Sequence, residues 1–339
     1  MKKTVTIISL LIVLICFCIC FLLFYKKNYD SSVSLESSAE IKTINIVNRF
    51  SKTRPVAVMI NNNHAAWPHA GLNDAYIIYE IIAEGGITRL MALFKDKTTE
   101  KIGSVRSSRP YYLDYALEND AIYVHFGYSE DARRDISSLG INNINGLVDE
   151  GYFWRDTSLK KALEHTAFTS MEKINSGISN KGYRNETNKK LLLRYSVFDV
   201  DLSSVEGSMK ADKIYLRYSD YTNSSYEYDA DSKTYKRSMS GTPHIDAISG
   251  QQYSFKNILV TPLKNYSYDS YGRQKLDNIG TFEGYYITNG YAALITFSKE
   301  SRDSQTVYRY KNGEEIKFND GNTFIQITPV GEEIRIEGI

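Results

Sequence analysis

The stretch Gly103-Ser104-Val105-Arg106-Ser107-Ser108-Arg109-Pro110 carries two arginines, with two serines between them, at Arg106-Ser107-Ser108-Arg109. Guanidinium forks and hydroxyls at that density make a clamp for phosphate or carboxylate. The apolar pattern before it reads as a strand ending near Arg106, and Pro110 suits the first position of a helix. A loop between a strand's carboxyl end and a helix's amino end is where open α/β sheets place ligands, and free N–H groups there attract anions. The opposite expectation is that Arg106 and Arg109 pair with Asp114, Glu118 or a distant carboxylate.

Upstream, Glu80 and Glu84 are four residues apart. The residues Leu72–Ala83 have apolar positions 75, 78, 79 and 82, the stripe of a helix capped by Asn73 or Asp74. Glu84 then falls in the last turn, beside the negative end of the helix, and so needs a cation. Arg89 is that cation, either in a structural pair with Glu84 or in a cleft shared with Arg106 and Arg109. In such a cleft Glu80 or Glu84 could act as a general base, with His125 as a polar partner. A site built from His64, His69 and His125 has no metal-ligand spacing, so we expect ordinary hydrogen-bonded histidines, no metal and no cofactor. There is no G-x-S-x-G, Walker loop or H-E-x-x-H.

These residues must be positioned by a chain of 339 residues, long enough for two domains. Met1-Lys2-Lys3 precedes an uncharged run from Thr4 to Tyr25, and Lys26-Lys27 closes it. As one helix that run would span about 33 Å, which predicts an uncleaved signal anchor crossing the membrane once. The three cysteines, Cys16, Cys18 and Cys20, all lie inside it, each behind a large residue where lipid attachment needs a small one. The remainder has no cysteine, so disulfides and thiolate zinc sites are excluded there. Without Lys2, Lys3, Lys26 and Lys27 the chain has 37 basic against 40 acidic residues. That balance gives nucleic acid no electrostatic footprint.

The expected organisation is an anchor over 1–27, a linker over 28–53, an α/β domain with a layered mixed sheet over 54–192, and a mostly antiparallel β domain over 193–339. Strands are expected at 55–61, 87–94, 101–106 and 121–127, and helices at 110–117, 129–138, 158–164 and 170–180. Of 27 tyrosines, 16 fall between Tyr195 and Tyr310, among short β-prone segments with turn signals at Asn289-Gly290 and Asn312-Gly313. Most are expected on half-exposed sheet faces. No spacing supports a sugar-binding platform.

The runs RPVAVMINNNHAAWPHAGLNDAYIIYEIIAEGGITRLMALF, IGSVRSSRPYYLDYALENDAIYVHFG and GYFWRD resemble the YerB family of bacterial extracytoplasmic lipoproteins. Later matches are YKRSM followed by GTPHID, TFSKESRDSQTVYRYKNGEEIKF and NTFIQITP. The resemblance covers about residues 54–330. It implies two domains of unknown function outside the cytoplasm, often held by a lipidated cysteine, from which this chain departs. The resulting expectation is a membrane-anchored, extracytoplasmic cell-envelope protein. It would bind an anionic wall glycan or lipid-linked precursor through Arg89, Arg106, Ser107, Ser108 and Arg109. The alternatives are an enzyme of envelope polymer processing with a carboxylate base, and a non-catalytic scaffold for an envelope protein partner.

Overall fold

The computed structural model describes residues 15, 17–26 and 43–338. Residues 17–26 are helical. Among the described residues no helix is long and apolar enough to cross a membrane, which corrects the expected membrane-crossing helix. The rest of that call, with Cys16 and residues 27–42, lies outside the described residues; Cys18 and Cys20 are exposed.

The compact unit begins at Ile44. Residues expected as linker already belong to it: Val47 is buried, and the backbone N–H groups of Asn45 and Ile46 donate to the Asp320 carboxylate at 2.8 and 3.0 Å. Its principal sheet has eleven strands. We label β1 (Val56–Asn61), β2 (Ile77–Ile82), β3 (Thr88–Phe94), β4 (Ile122–His125), β5 (Asn143–Asn145), β6 (Met209–Lys210), β7 (Lys213–Arg217), β8 (Asn223–Asp229), β9 (Thr234–Met239), β10 (Asn257–Val260), β11 (Gly280–Thr288), β12 (Tyr291–Lys299), β13 (Val307–Tyr310), β14 (Thr323–Ile327) and β15 (Ile334–Glu337). The order across the sheet is β6-β12-β11-β10-β14-β2-β3-β1-β4-β5, with β13 beside β12. β14 runs parallel to both β10 and β2, and β1, β4 and β5 run parallel to one another. Strands from the two halves of the chain therefore share one mixed sheet, not the separate antiparallel β domain expected after residue 193. A second, antiparallel sheet holds β9, β8, β7 and β15.

β1, β2 and β3 are buried along their whole length, because their apolar runs serve both faces of a central sheet. On one face Met59, Tyr79, Met91 and Leu93 pack under helix α1 (Pro110–Glu118) through Tyr112, Leu113 and Tyr115, and Ile136 of α2 (Glu130–Ser138) joins them. On the other face Val58, Ile78, Leu90 and Ala92 pack against Met171, Ile174 and Ile178 of α3 (Met171–Asn180) and against Ile214, Tyr226 and Tyr235 of the second sheet. Residues 77–82 form a strand, not the expected helix. With both faces of IIYEII buried, its accidental i, i+3, i+4 stripe has no surface meaning. The expected helix at 158–164 is two 3-10 turns, Thr157–Leu159 and Leu163–His165, with Lys160 at φ 48° between them.

Glu80 joins the two sheets. It lies on the β2 face that meets β8 and β9, fully buried, and its Oε2 accepts from Arg237 Nη2 at 2.7 Å and Ser224 Oγ at 3.2 Å. Its Oε1 accepts from Thr88 Oγ1 at 2.7 Å and Asn62 Nδ2 at 3.1 Å. Arg237 is equally buried, stacked 4.7 Å over the Phe324 ring, and its Nη1 meets His244 Nδ1 at 2.7 Å. His244 Nε2 meets His69 Nδ1 at 2.7 Å, and His69 Nε2 meets the Asn61 carbonyl at 2.7 Å. Burial lowers His69 to about 4 and His244 well below the usual imidazole value, so both are neutral at pH 7. The tautomers follow. A guanidinium and a carbonyl fix the two ends, so Arg237 donates to His244, His244 donates to His69, and His69 donates to Asn61.

Removing one partner of such a pair strands the other charge. Arg237→Ala is expected to cost about 3–5 kcal/mol of stability, whereas Glu80→Leu/Arg237→Met costs less than the two single changes summed, as read from urea unfolding. The imidazoles set a pH dependence. In the unfolded chain they bind protons below about 6.5, while the fold keeps His69 neutral to about pH 4. Stability is therefore full above pH 6.5 and falls as pH drops towards 4, by up to about 1.4 kcal/mol per pH unit for each histidine. A flat unfolding midpoint between pH 7.5 and 5 would contradict the neutral chain.

Candidate functional site

The parallel pairing of β1 and β4 puts their carboxyl ends at one edge of the sheet, and the antiparallel register of β1 with β3 sets Arg89 opposite Asn61 at that edge. The Arg106–Arg109 loop wedges into the same place. Arg106 N–H donates to the Met59 carbonyl at 2.9 Å, and Phe126 N–H donates to the Arg106 carbonyl at 3.0 Å. The turn Glu84–Gly86 closes the edge from β2. Gly85 and Gly86 sit at φ 69° and 73°, and a Cβ on Gly86 would come within 2.9 Å of Ser219 Oγ.

Three guanidiniums meet there. Arg109 holds Glu84 through both Nε and Nη2, the latter at 2.9 Å, and its Nη1 donates to the Ser108 carbonyl at 2.7 Å. Arg89 reaches the same carboxylate at 3.4 Å and donates to the Ser107 carbonyl at 2.7 Å. Arg106 meets Glu164 at 3.0 Å on the open side. The expected Glu84–Arg89 pair is present but is the weaker half of a shared carboxylate. Burial and then the charge of Arg109 pull Arg89 down to about 10, and Arg106 adds to the fall. Burial raises Glu84, but the Arg109 hydrogen bond and the charges of Arg89 and Arg109 outweigh it and hold the carboxyl below its ordinary value. The side chains of Arg89, Arg109 and Arg106 keep 10%, 12% and 27% of their surface exposed, so solvent reaches all three.

The other expected site residues divide. Ser107 is half-buried beside Gly127. Ser108 is fully buried, its hydroxyl accepting from Tyr123 at 3.0 Å, and it supports the loop instead of facing a ligand. Glu80 belongs to the interior network and meets no solvent. His125 is buried, with Nδ1 on the Gly127 carbonyl at 2.7 Å and Nε2 on Asn143 Oδ1 at 3.2 Å; burial lowers it, so it is neutral. Two of the three candidate acid–base groups are thus sealed, and Glu84 is committed to arginines. His64, His69 and His125 have separate partners, and among the described residues no three His, Cys, Asp or Glu side chains group as a metal site.

An aromatic wall stands across the Glu84–Gly86 turn. His64 stacks on Tyr221 with ring centres 4.4 Å apart and 14° between planes, and the Trp67 ring lies 4.4 Å from His64, tilted by 42°. Ser219 Oγ and Thr222 Oγ1 donate to the Gly86 carbonyl at 2.7 and 2.9 Å, which brings this wall to the arginine turn. Trp67 Nε1 donates to Asn62 Oδ1 at 3.1 Å, tying the wall to Glu80. Sequence reasoning missed the wall, because Tyr221 is far from the NNNHAAW run.

The comparisons agree with this architecture. Residues 44–184 match the protein of unknown function (DUF3048) N-terminal domain, and residues 214–325 match its C-terminal domain. The curated "Putative lipoprotein YerB" of Bacillus subtilis (strain 168) is 28% identical over 333 residues, which is 97% of this chain and 96% of the relative. The crystal structure of the YerB protein from Bacillus subtilis superposes with a TM-score of 0.72, covering 84% of this chain and 94% of that one. With both domain models matched in order and the relative aligned nearly end to end, the chain belongs to the YerB-like DUF3048 family.

Proposed function

We propose that the protein is a membrane-associated, extracytoplasmic binding protein of the cell envelope, and that it takes an anionic ligand, bearing phosphate or carboxylate, at Arg89, Arg106 and Arg109. The location rests on the name of the Bacillus subtilis relative, a lipoprotein. The ligand class rests on one observation. Three guanidiniums are gathered from two segments around two carboxylates, and Arg89 sits at about 10 because burial and the neighbouring arginines oppose its charge. A fold that needed only a structural pair would bring one arginine to Glu84. An arriving anion relieves the excess charge, with Arg106 exchanging exposed Glu164 for the ligand. The His64, Trp67 and Tyr221 wall beside the turn offers flat faces to a ring that carries the anion, which favours a phosphate-bearing glycan over a bare ion.

Purified full-length protein is expected to bind phosphorylated wall polymer in a titration, and Arg106→Ala to weaken that binding about 10- to 100-fold without lowering the unfolding midpoint, because Arg106 spends its charge on an exposed partner. Unchanged affinity in Arg106→Ala/Arg109→Ala would refute the clamp. Trp67→Ala should weaken the polymer more than inorganic phosphate.

A further inference from the structure

On another part of the unit lies a pocket of about 260 Å³ with Arg49, Lys52, Lys95, Lys189 and Lys190 in its walls and no aspartate or glutamate among its lining residues. Most buried basic residues of this fold face acids: Arg54 meets Asp120, Lys299 meets Glu118 and Arg237 meets Glu80. Here, among the described residues, no carboxylate lies within 4 Å of Arg49, Lys52, Lys189 or Lys190, and Lys95 has only Asp96, at 4.0 Å. The Asp96 carboxylate is itself bonded to Ser51 Oγ at 3.0 Å. Lys189 is partly used, donating to the Leu117 carbonyl at 2.9 Å near the carboxyl end of α1 and to the Asp303 carbonyl. Lys95 is 3% exposed, and its ammonium, with three hydrogens to give, donates to the Thr53 carbonyl.

A nearly buried ammonium is costly unless it is compensated. Around it Lys189 is half-buried, and Arg49, Lys52 and Lys190 are exposed with no acid among the lining residues, so the mouth of the pocket carries uncompensated positive charge. We propose that this pocket is a second anion site, separate from the arginine edge, and that it takes a phosphoryl group carried on a small headgroup. The volume falls just below the range of sites for drug-sized ligands, which suits a phosphate with a few attached atoms. Phe50, Leu191 and Leu192 add an apolar wall, which a bare ion does not need. A free phosphate ester and the headgroup of an anionic phospholipid present the same oxygens, and both are tested.

The full chain, held in neutral detergent micelles, is titrated by calorimetry with inorganic phosphate, with glycerol 3-phosphate and with short-chain phosphatidylglycerol; short-chain phosphatidylcholine is the zwitterionic control. Saturable binding of at least one of the three anions is expected, weakened at least tenfold in Lys52→Gln/Lys190→Gln, whose side chains are exposed and whose loss leaves the fold intact. Binding of the soluble phosphates assigns a free ester, and binding of phosphatidylglycerol alone assigns a lipid headgroup; either upholds the site. Arg106→Ala/Arg109→Ala should leave this binding unchanged. No saturable binding, binding indifferent to Lys52→Gln/Lys190→Gln, or binding lost only in the arginine variant would overturn the proposal, the last while leaving the arginine edge in place.

Discussion

The ion pair of Glu80 with Arg237 is the constraint on which the molecule turns. Two opposite charges with no solvent contact stand between two sheets, and each oxygen of the carboxylate has two donors. Burying the carboxylate is tolerable only with such satisfaction, while Arg237 is held through Nη1 and Nη2 and its Nε has no hydrogen-bond partner. The arrangement fixes how the second sheet lies on the first, since a slip of one residue would turn Arg237 to the opposite face. It also reaches the surface. Asn62 donates to Glu80 and accepts from Trp67, and His69 ends its chain on Asn61, the residue opposite Arg89. The interior polar network is therefore the support beneath the candidate site.

Charge is managed differently in the three basic regions. In the interior, one arginine meets one glutamate under full cover. At the strand edge, Arg89 and Arg109 share Glu84 while Arg106 leans on an acid that water already holds. In the pocket near Lys95, no acid lines the walls, and Lys95 has only Asp96 at 4.0 Å. The arrangement grades from close pairing in the interior to open excess at the surface within one chain.

The arginine loop, the helix opened by Pro110 and the hairpin at Asn289-Gly290, whose φ values are 50° and 78°, were legible because each depends on local chemistry. β1 and β3 were legible as apolar runs. β2 was not, because a strand buried on both faces has no periodicity to distinguish it from a helix. That misreading placed Glu80 and Glu84 on one helical face, whereas Glu80 points inward and Glu84 lies in the following turn. Arg237 had a readable signal. Along β9 every second residue is buried, so Arg237 shares the inner face with Tyr235 and Met239, and a charge at such a position demands an opposite charge. That Glu80 would be its partner is a contact across 157 residues, which no local pattern contains.

The insertion of β14 between β2 and β10 has a consequence for how the protein is made. Until residue 327 has been synthesised, β2 presents a bare hydrogen-bonding edge in the middle of the future sheet. Such an edge invites pairing with other chains. The first family domain thus cannot close its own sheet, and the two halves, although separate in sequence models, mature as one cooperative object. A chain that stays open to its last strands remains pliable for longer during synthesis.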